Sequence, residues 1–156
     1  MNGNTNSLVL TYEEKLQLMP TVAKLLVIAS KIRREGMLSV EDEIHSQDDQ
    51  FFKVLYNLFC GGYNPYVLRS IYNNFLNSSR LSESNLEYSK KFIQSEVLLL
   101  LQDSGQADYF LNFYCFSFFG FDFSEDYKTN MKIHLPTQLY NQIFSSYTKE
   151  SFGLWD

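Results

Sequence analysis

Cysteine is scarce in this chain of 156 residues, occurring only at Cys60 and Cys115. Both sit in apolar stretches and neither has a Cys-x-x-Cys partner, so buried, reduced thiols are expected rather than a disulfide or a metal site. Histidine is equally rare. His45 and His134 lie far apart, and neither has a ligand-type residue at metal spacing apart from generic acids, which excludes a local zinc motif. Long apolar runs are missing as well. The longest are 25–29 and 97–101, and the aromatic run 109–123 is interrupted by Asn112, Ser117 and Asp122. A membrane-spanning helix needs about 20 consecutive apolar residues, so none is expected. The opening MNGNTNSLVLTYEEK lacks the cationic start and apolar core of a secretory leader, and a soluble, cytoplasmic protein is expected. Positive charge is in deficit too. Thirteen Lys and Arg face eighteen Asp and Glu, a net charge of −5, which argues against nucleic acid or an anionic lipid surface as partner.

What is present is the material of one folded domain. Apolar residues make up 45% and charged residues 20%, the balance of an ordinary globular protein long enough to bury a core without staples. Aromatics reach 17%, nearly all Phe and Tyr, so rings are expected both in the core and on a contact surface. Residues 1–10 read as a flexible arm and 11–156 as a single helical domain without internal repeats.

The punctuation supports helices throughout. Thr11 with Glu14 three places on fits a capping box, opening a short helix over 12–18 that Pro20 breaks or kinks. From Thr21, the set Val22, Leu25, Leu26, Ile28, Ala29 and Ile32 repeats at helical spacing up to Gly36. Ser39 can cap an acidic helix, with Asp42 at the reciprocal position. Asp48 or Asp49 caps 50–60, which is apolar over more than half its circumference, and Gly61-Gly62 stops it. Asn64-Pro65 supplies a cap and a first-turn proline for a helix to about Asn77, burying Val67, Leu68, Ile71, Tyr72, Phe75 and Leu76. A polar linker over 78–84 leads to a longer helix, capped by Ser82 or Ser84 and ended by Gly105. Residues 109–119 fit a strand by alternation or a buried helix by continuity. A helix is favoured, because Asp108 can cap it, Gly120 can close it and no second strand is available. Residues 122–131 carry no decisive pattern. A last amphipathic helix over 136–149 presents Leu139, Tyr140, Ile143, Phe144 and Tyr147. The expected fold is all-α, a compact bundle of about six or seven helices.

Catalytic chemistry finds no anchor. There is no Gly-x-Ser-x-Gly, phosphate loop, His-Glu-x-x-His or dinucleotide fingerprint. Glu41/Glu43 and Asp48/Asp49 lack the ligand spacing and central glycine of a calcium loop. The expectation is a protein that is not an enzyme, with no catalytic residue, metal or cofactor.

The most informative stretch is 29–44, ASKIRREGMLSVEDEI. Lys31, Arg33 and Arg34 crowd the last turn before Gly36, and Glu41, Asp42 and Glu43 open the acidic helix beyond it. Cations suit a helix C-terminus and anions an N-terminus. A second pattern overlies this one. Ala29, Arg33, Gly36, Met37, Leu38, Val40 and Glu41 form a first block. Asp49-Gln50-Phe51-Phe52 forms a second, and Gly61-Gly62-Tyr63-Asn64-Pro65 with Arg69, Ile71 and Tyr72 a third. In this order and at these intervals the blocks, spanning about 25–76, resemble the cytoplasmic segment of MotA/PomA-type flagellar motor stator subunits. The family's flanking membrane helices have no counterpart here, so the resemblance does not extend to ion conduction.

The resemblance implies a non-conducting protein-interaction module at the flagellar motor, with the rotor switch protein or stator subunits as partners. It places partner binding at Arg33, Arg34 and Glu41. The residues alone leave a second expectation open: a helical assembly or regulatory scaffold that binds a partner through its aromatic C-terminal half.

Overall fold

The computed structural model describes residues 9–80, 82–104 and 107–144, the side chains of 103 and 104 aside. Among them the chain forms eight α-helices, two short 3₁₀ turns and no strand, a compact all-α bundle as expected. The helices are α1 (Tyr12–Glu35), α2 (Glu41–His45), α3 (Gln50–Phe59), α4 (Pro65–Arg80), α5 (Asn85–Ser104), α6 (Asp108–Phe119), α7 (Ser124–His134) and α8 (Thr137–Phe144). One 3₁₀ turn, Met37–Val40, joins α1 to α2, and another, Phe121–Phe123, joins α6 to α7.

Helix α1 opens on the expected capping box: Glu14 N–H donates to Thr11 Oγ1, and Thr11 N–H donates to Glu14 Oε1. It then runs through Pro20 without ending there, where the sequence predicts a break or kink between two helices. Pro20 is exposed, so the hydrogen bond a proline forfeits is lost on the solvent side. Leu18, Met19, Val22 and Ala23 meanwhile bury on both sides of it. Tertiary packing of these residues outweighs the local penalty.

Helices α1 and α5 form the spine. Helices α3 and α4 pack on α5, and α6 and α7 pack on α1, with α8 against α6 and α7. Leu10, the last residue of the N-terminal arm, is buried in this core, and Val9 carbonyl accepts from Asn85 Nδ2. Between α6 and α7 the core is aromatic: Tyr127 lies beside Phe116, with ring centroids 5.6 Å apart. Its hydroxyl donates to Asn112 Oδ1 at 2.8 Å.

Three of the expected caps stand and two fall differently. Asp49, not Asp48, caps α3, its Oδ1 accepting from Phe52 N–H. Asn64 caps α4 through a bond from Tyr66 N–H, and Ser84 serves α5 through one from Glu87 N–H. Ser39 does not cap α2; its hydroxyl turns back to donate to Gly36 carbonyl at 2.7 Å, because a 3₁₀ turn intervenes. Ala107 holds the N-cap position of α6. Asp108 is the first helical residue and is drawn away toward α1. Gly105 and Tyr147 lie outside the described residues.

Helix α4 buries Leu68, Tyr72 and Leu76 only, while Val67 and Phe75 are exposed and Ile71 half-buried. It is an edge helix that meets α5 and α3 along one side, so among the described residues the wider stripe expected from the sequence is covered only in part, Phe75 meeting Phe51 of α3 edge to face with ring centroids 6.4 Å apart.

Candidate functional site

The corner after α1 is built by a conflict of faces. Gly36 takes φ 101° and ψ 161°, a backbone region essentially reserved for glycine. Its N–H closes the helix on Ile32 carbonyl at 2.8 Å. The chain then reverses through Met37–Val40, with Val40 and Ile44 buried as anchors. Tyr56 hydroxyl donates to Met37 carbonyl and pins the turn to α3. Burial, together with the neighbouring Cys60, pushes this phenol well above its ordinary pKa, so it remains a donor. His45 Nε2 meets Asn57 Oδ1 at 2.9 Å and fixes the end of α2 to α3.

This bracing leaves Met37 and Leu38 on the outside, Leu38 at 62% exposure. Glu41, Asp42 and Glu43 are exposed beside them in sequence at the start of α2. The corner therefore offers two aliphatic side chains between a cationic helix end and an anionic helix start. The side-chain exposure of Met37 and Leu38 is not legible from periodicity. The one clue in the sequence is an apolar pair directly after a glycine stop.

The three residues assigned to partner binding have different surroundings. Arg33 folds back onto α6, its Nε donating to Asp108 Oδ1 at 3.2 Å and its Nη2 to Asp108 Oδ2 at 2.9 Å. Ser30 Oγ donates to the same carboxylate. Arg33 thereby ties α1 to α6. Arg34 is exposed, with Nε donating to Ser30 Oγ and Nη1 3.6 Å from Glu35. Glu41 is exposed at the head of α2.

A cleft of about 360 Å³ lies between α1, the 46–49 turn and α5, with Lys24, Leu25, Ile28, Asp49, Phe52 and Gln94 in its walls. Asp49 is a joint here rather than a reactive acid. It caps α3, accepts from Gln94 Nε2 at 2.8 Å and lies 3.5 Å from Lys90 Nζ. Burial raises its pKa, but the Phe52 N–H, Gln94 and Lys90 outweigh it and hold the carboxyl below its usual range. Among the described residues, no group of three or more His, Cys, Asp or Glu could hold a metal ion.

The aromatic C-terminal half is divided. Phe116, Phe119 and Phe123 are buried, whereas Phe110 is partly exposed and Phe121 is 77% exposed. On the outer face of α6, Phe110, Phe113, Tyr114 and Ser117 line an apolar hollow of about 320 Å³.

Fold and surface together define an all-α domain whose distinctive exposed features are a charged, partly aliphatic corner and an aromatic hollow. No protein-family model, curated protein or solved structure matches the chain.

Proposed function

We propose that this chain is a non-conducting relative of the cytoplasmic segment of MotA/PomA-type stators, acting as a protein-interaction module on the cytoplasmic side of the flagellar motor. The observation that carries the reading is the corner 33–43. The residue block most like the stator segment coincides with the surface where Arg34, Met37, Leu38 and Glu41 stand exposed together in sequence. Charges flanking a small aliphatic centre suit a reversible contact, in which electrostatics sets on-rate and register while the aliphatic pair supplies affinity. The other two blocks fall on joints of the fold, the Asp49 cap of α3 and the Asn64-Pro65 start of α4. Among the described residues no helix is long and apolar enough to cross a membrane, which agrees with a docking role without a pore. Arg34 and Glu41 are the contact charges in this reading, and Arg33 holds the corner in place through Asp108.

The test is a pull-down against rotor switch protein and stator subunits. Arg34→Glu and Glu41→Lys should each weaken capture, more at low salt than at high, and Leu38→Asp should abolish it. Absence of capture by either partner, or capture indifferent to all three changes, overturns the reading.

A further inference from the structure

The cleft between α1, the 46–49 turn and α5 holds more polar groups than the fold uses. Lys24 and Lys90 stand in its walls together with Asp48 and Asp49. Asp49 is fully committed, to Phe52 N–H, to Gln94 Nε2 and to Lys90 Nζ. Lys24 and Asp48 are exposed, and among the described residues neither side chain enters an ion pair or a hydrogen bond. Gln94 is the telling residue. It is only 3% exposed, its Nε2 donates to Asp49 at 2.8 Å, and its Oε1 is buried with no partner among the described residues. An unpaired buried acceptor is costly, and in the wall of a cleft it marks a place where a donor from outside the chain belongs.

The lining decides what kind of donor. A volume of about 360 Å³ is near the lower end of ligand cavities, about 300–1,000 Å³, and suits a small metabolite rather than a nucleotide. Two lysines in the walls oppose a polyamine or a metal cation, and two aspartates oppose a phosphate or a dicarboxylate. A ligand with one charge of each sign suits both. The two uncommitted charges come from different elements, Lys24 from α1 and Asp48 from the turn between α2 and α3. Leu25, Ile28 and Phe52 add an apolar part of the wall. Together these groups complement a carboxylate, an ammonium and an apolar side chain.

We infer that this cleft binds a free α-amino acid with an apolar side chain. The ligand's carboxylate meets Lys24, its ammonium meets Asp48 and donates to Gln94 Oε1, and its side chain lies on Leu25, Ile28 and Phe52. Oε1 is shielded from bulk solvent, so a small turn of the Gln94 amide accompanies binding. A ligand held by α1, α5 and the 46–49 turn ties three parts of the bundle together, and binding to the folded state alone raises the Tm. No residue of this site belongs to the stator-like corner, so the two readings stand or fall separately.

Calorimetric titration and thermal unfolding of the full chain, with L-leucine and L-phenylalanine as ligands, test the inference. Saturable binding with a rise in Tm is expected for at least one of them. Their amines, isoamylamine and phenethylamine, lack the carboxylate, and their acids, 4-methylpentanoate and 3-phenylpropanoate, lack the ammonium. Each should bind at least about tenfold more weakly than its parent. Lys24→Gln and Asp48→Asn, at exposed positions, should each weaken the amino acid about tenfold while far-UV circular dichroism keeps its helical signal. Lys24→Gln should leave the amine's affinity unchanged, and Asp48→Asn the acid's. Gln94→Met, similar in length but without an acceptor, should weaken the amino acid as well. No binding of either amino acid overturns the inference and leaves a buried water as the partner of Gln94 Oε1. An amine or acid that binds as tightly as its parent overturns it, because the cleft would then not read both charges. Affinity unchanged by both Lys24→Gln and Asp48→Asn also overturns it, since the ligand would then sit elsewhere.

Discussion

Whether Arg33 serves the fold or a partner can be decided by a double-mutant cycle with Asp108. The guanidinium reaches both carboxylate oxygens, at 3.2 and 2.9 Å, and the pair is partly withdrawn from water, with side chains 32% and 12% exposed. Hydrogen bonds to charged groups contribute about 1.5–3 kcal/mol when protected, and open surface pairs about 0.2–1 kcal/mol. An intermediate setting places the Arg33–Asp108 coupling at about 1–1.5 kcal/mol. Asp108→Ala also removes the Ser30 bond and an anion from the first turn of α6, worth roughly 0.5–1 kcal/mol more. The single variant should then lose about 1.5–2.5 kcal/mol, a fall in Tm of roughly 3–10 °C for a domain of this size. Urea unfolding followed by far-UV circular dichroism on Arg33→Ala, Asp108→Ala and the double variant measures the coupling. If the double variant equals the sum of the singles within about 0.3–0.5 kcal/mol, the tie is ornamental, and Arg33 rejoins Arg34 and Glu41 as a contact charge. A coupling near the value above makes Arg33 a brace, and any binding defect of Arg33→Glu must then be read as damage to the corner.

The remaining expectations are simpler. Gly36→Ala places a Cβ at φ 101° and should cost about 1–3 kcal/mol; an unchanged urea midpoint would refute the strain argument. Asp49 has a folded-state pKa held below its ordinary value, so its contribution is complete above the unfolded value of about 4 and is lost as pH falls through the folded one. Asp49→Asn keeps an acceptor for Phe52 N–H and should flatten the acid limb of the stability curve; an identical limb in both proteins would exclude Asp49 as its source. Burial pushes the Cys115 thiol up to about 12, and Cys60 is only partly buried. A thiol reagent should therefore label Cys60 slowly in the native protein and Cys115 only on unfolding, and native double labelling would contradict the core as described.

Much of the fold is legible where one residue carries out one local task. The Thr11–Glu14 box, the glycine stop at Gly36, the Asn64-Pro65 start and the Gly120 end all appear where the sequence places them. These depend on dihedral preference and on orphan N–H and carbonyl groups, which act within four residues. The charges on either side of Gly36 also foretell a cationic helix end followed by an acidic helix start. The errors share a different origin. Periodicity and proline chemistry predict an interruption of α1 at Pro20 and burial of Val67 and Phe75, and the structure shows neither. In each case the outcome depends on which neighbour covers a given face.

The candidate site divides along the same line. The sequence alone determined that Lys31, Arg33, Arg34, Glu41, Asp42 and Glu43 crowd one joint, because helix termini attract opposite charges over a single turn. Only the tertiary structure decided that Arg33 turns inward to Asp108, 75 positions away, that Arg34 and Glu41 remain outside, and that Met37 and Leu38 stand between them. Local electrostatics chooses the residue types. Long-range packing chooses which of them face water, because burial is a property of two surfaces and a sequence window contains only one.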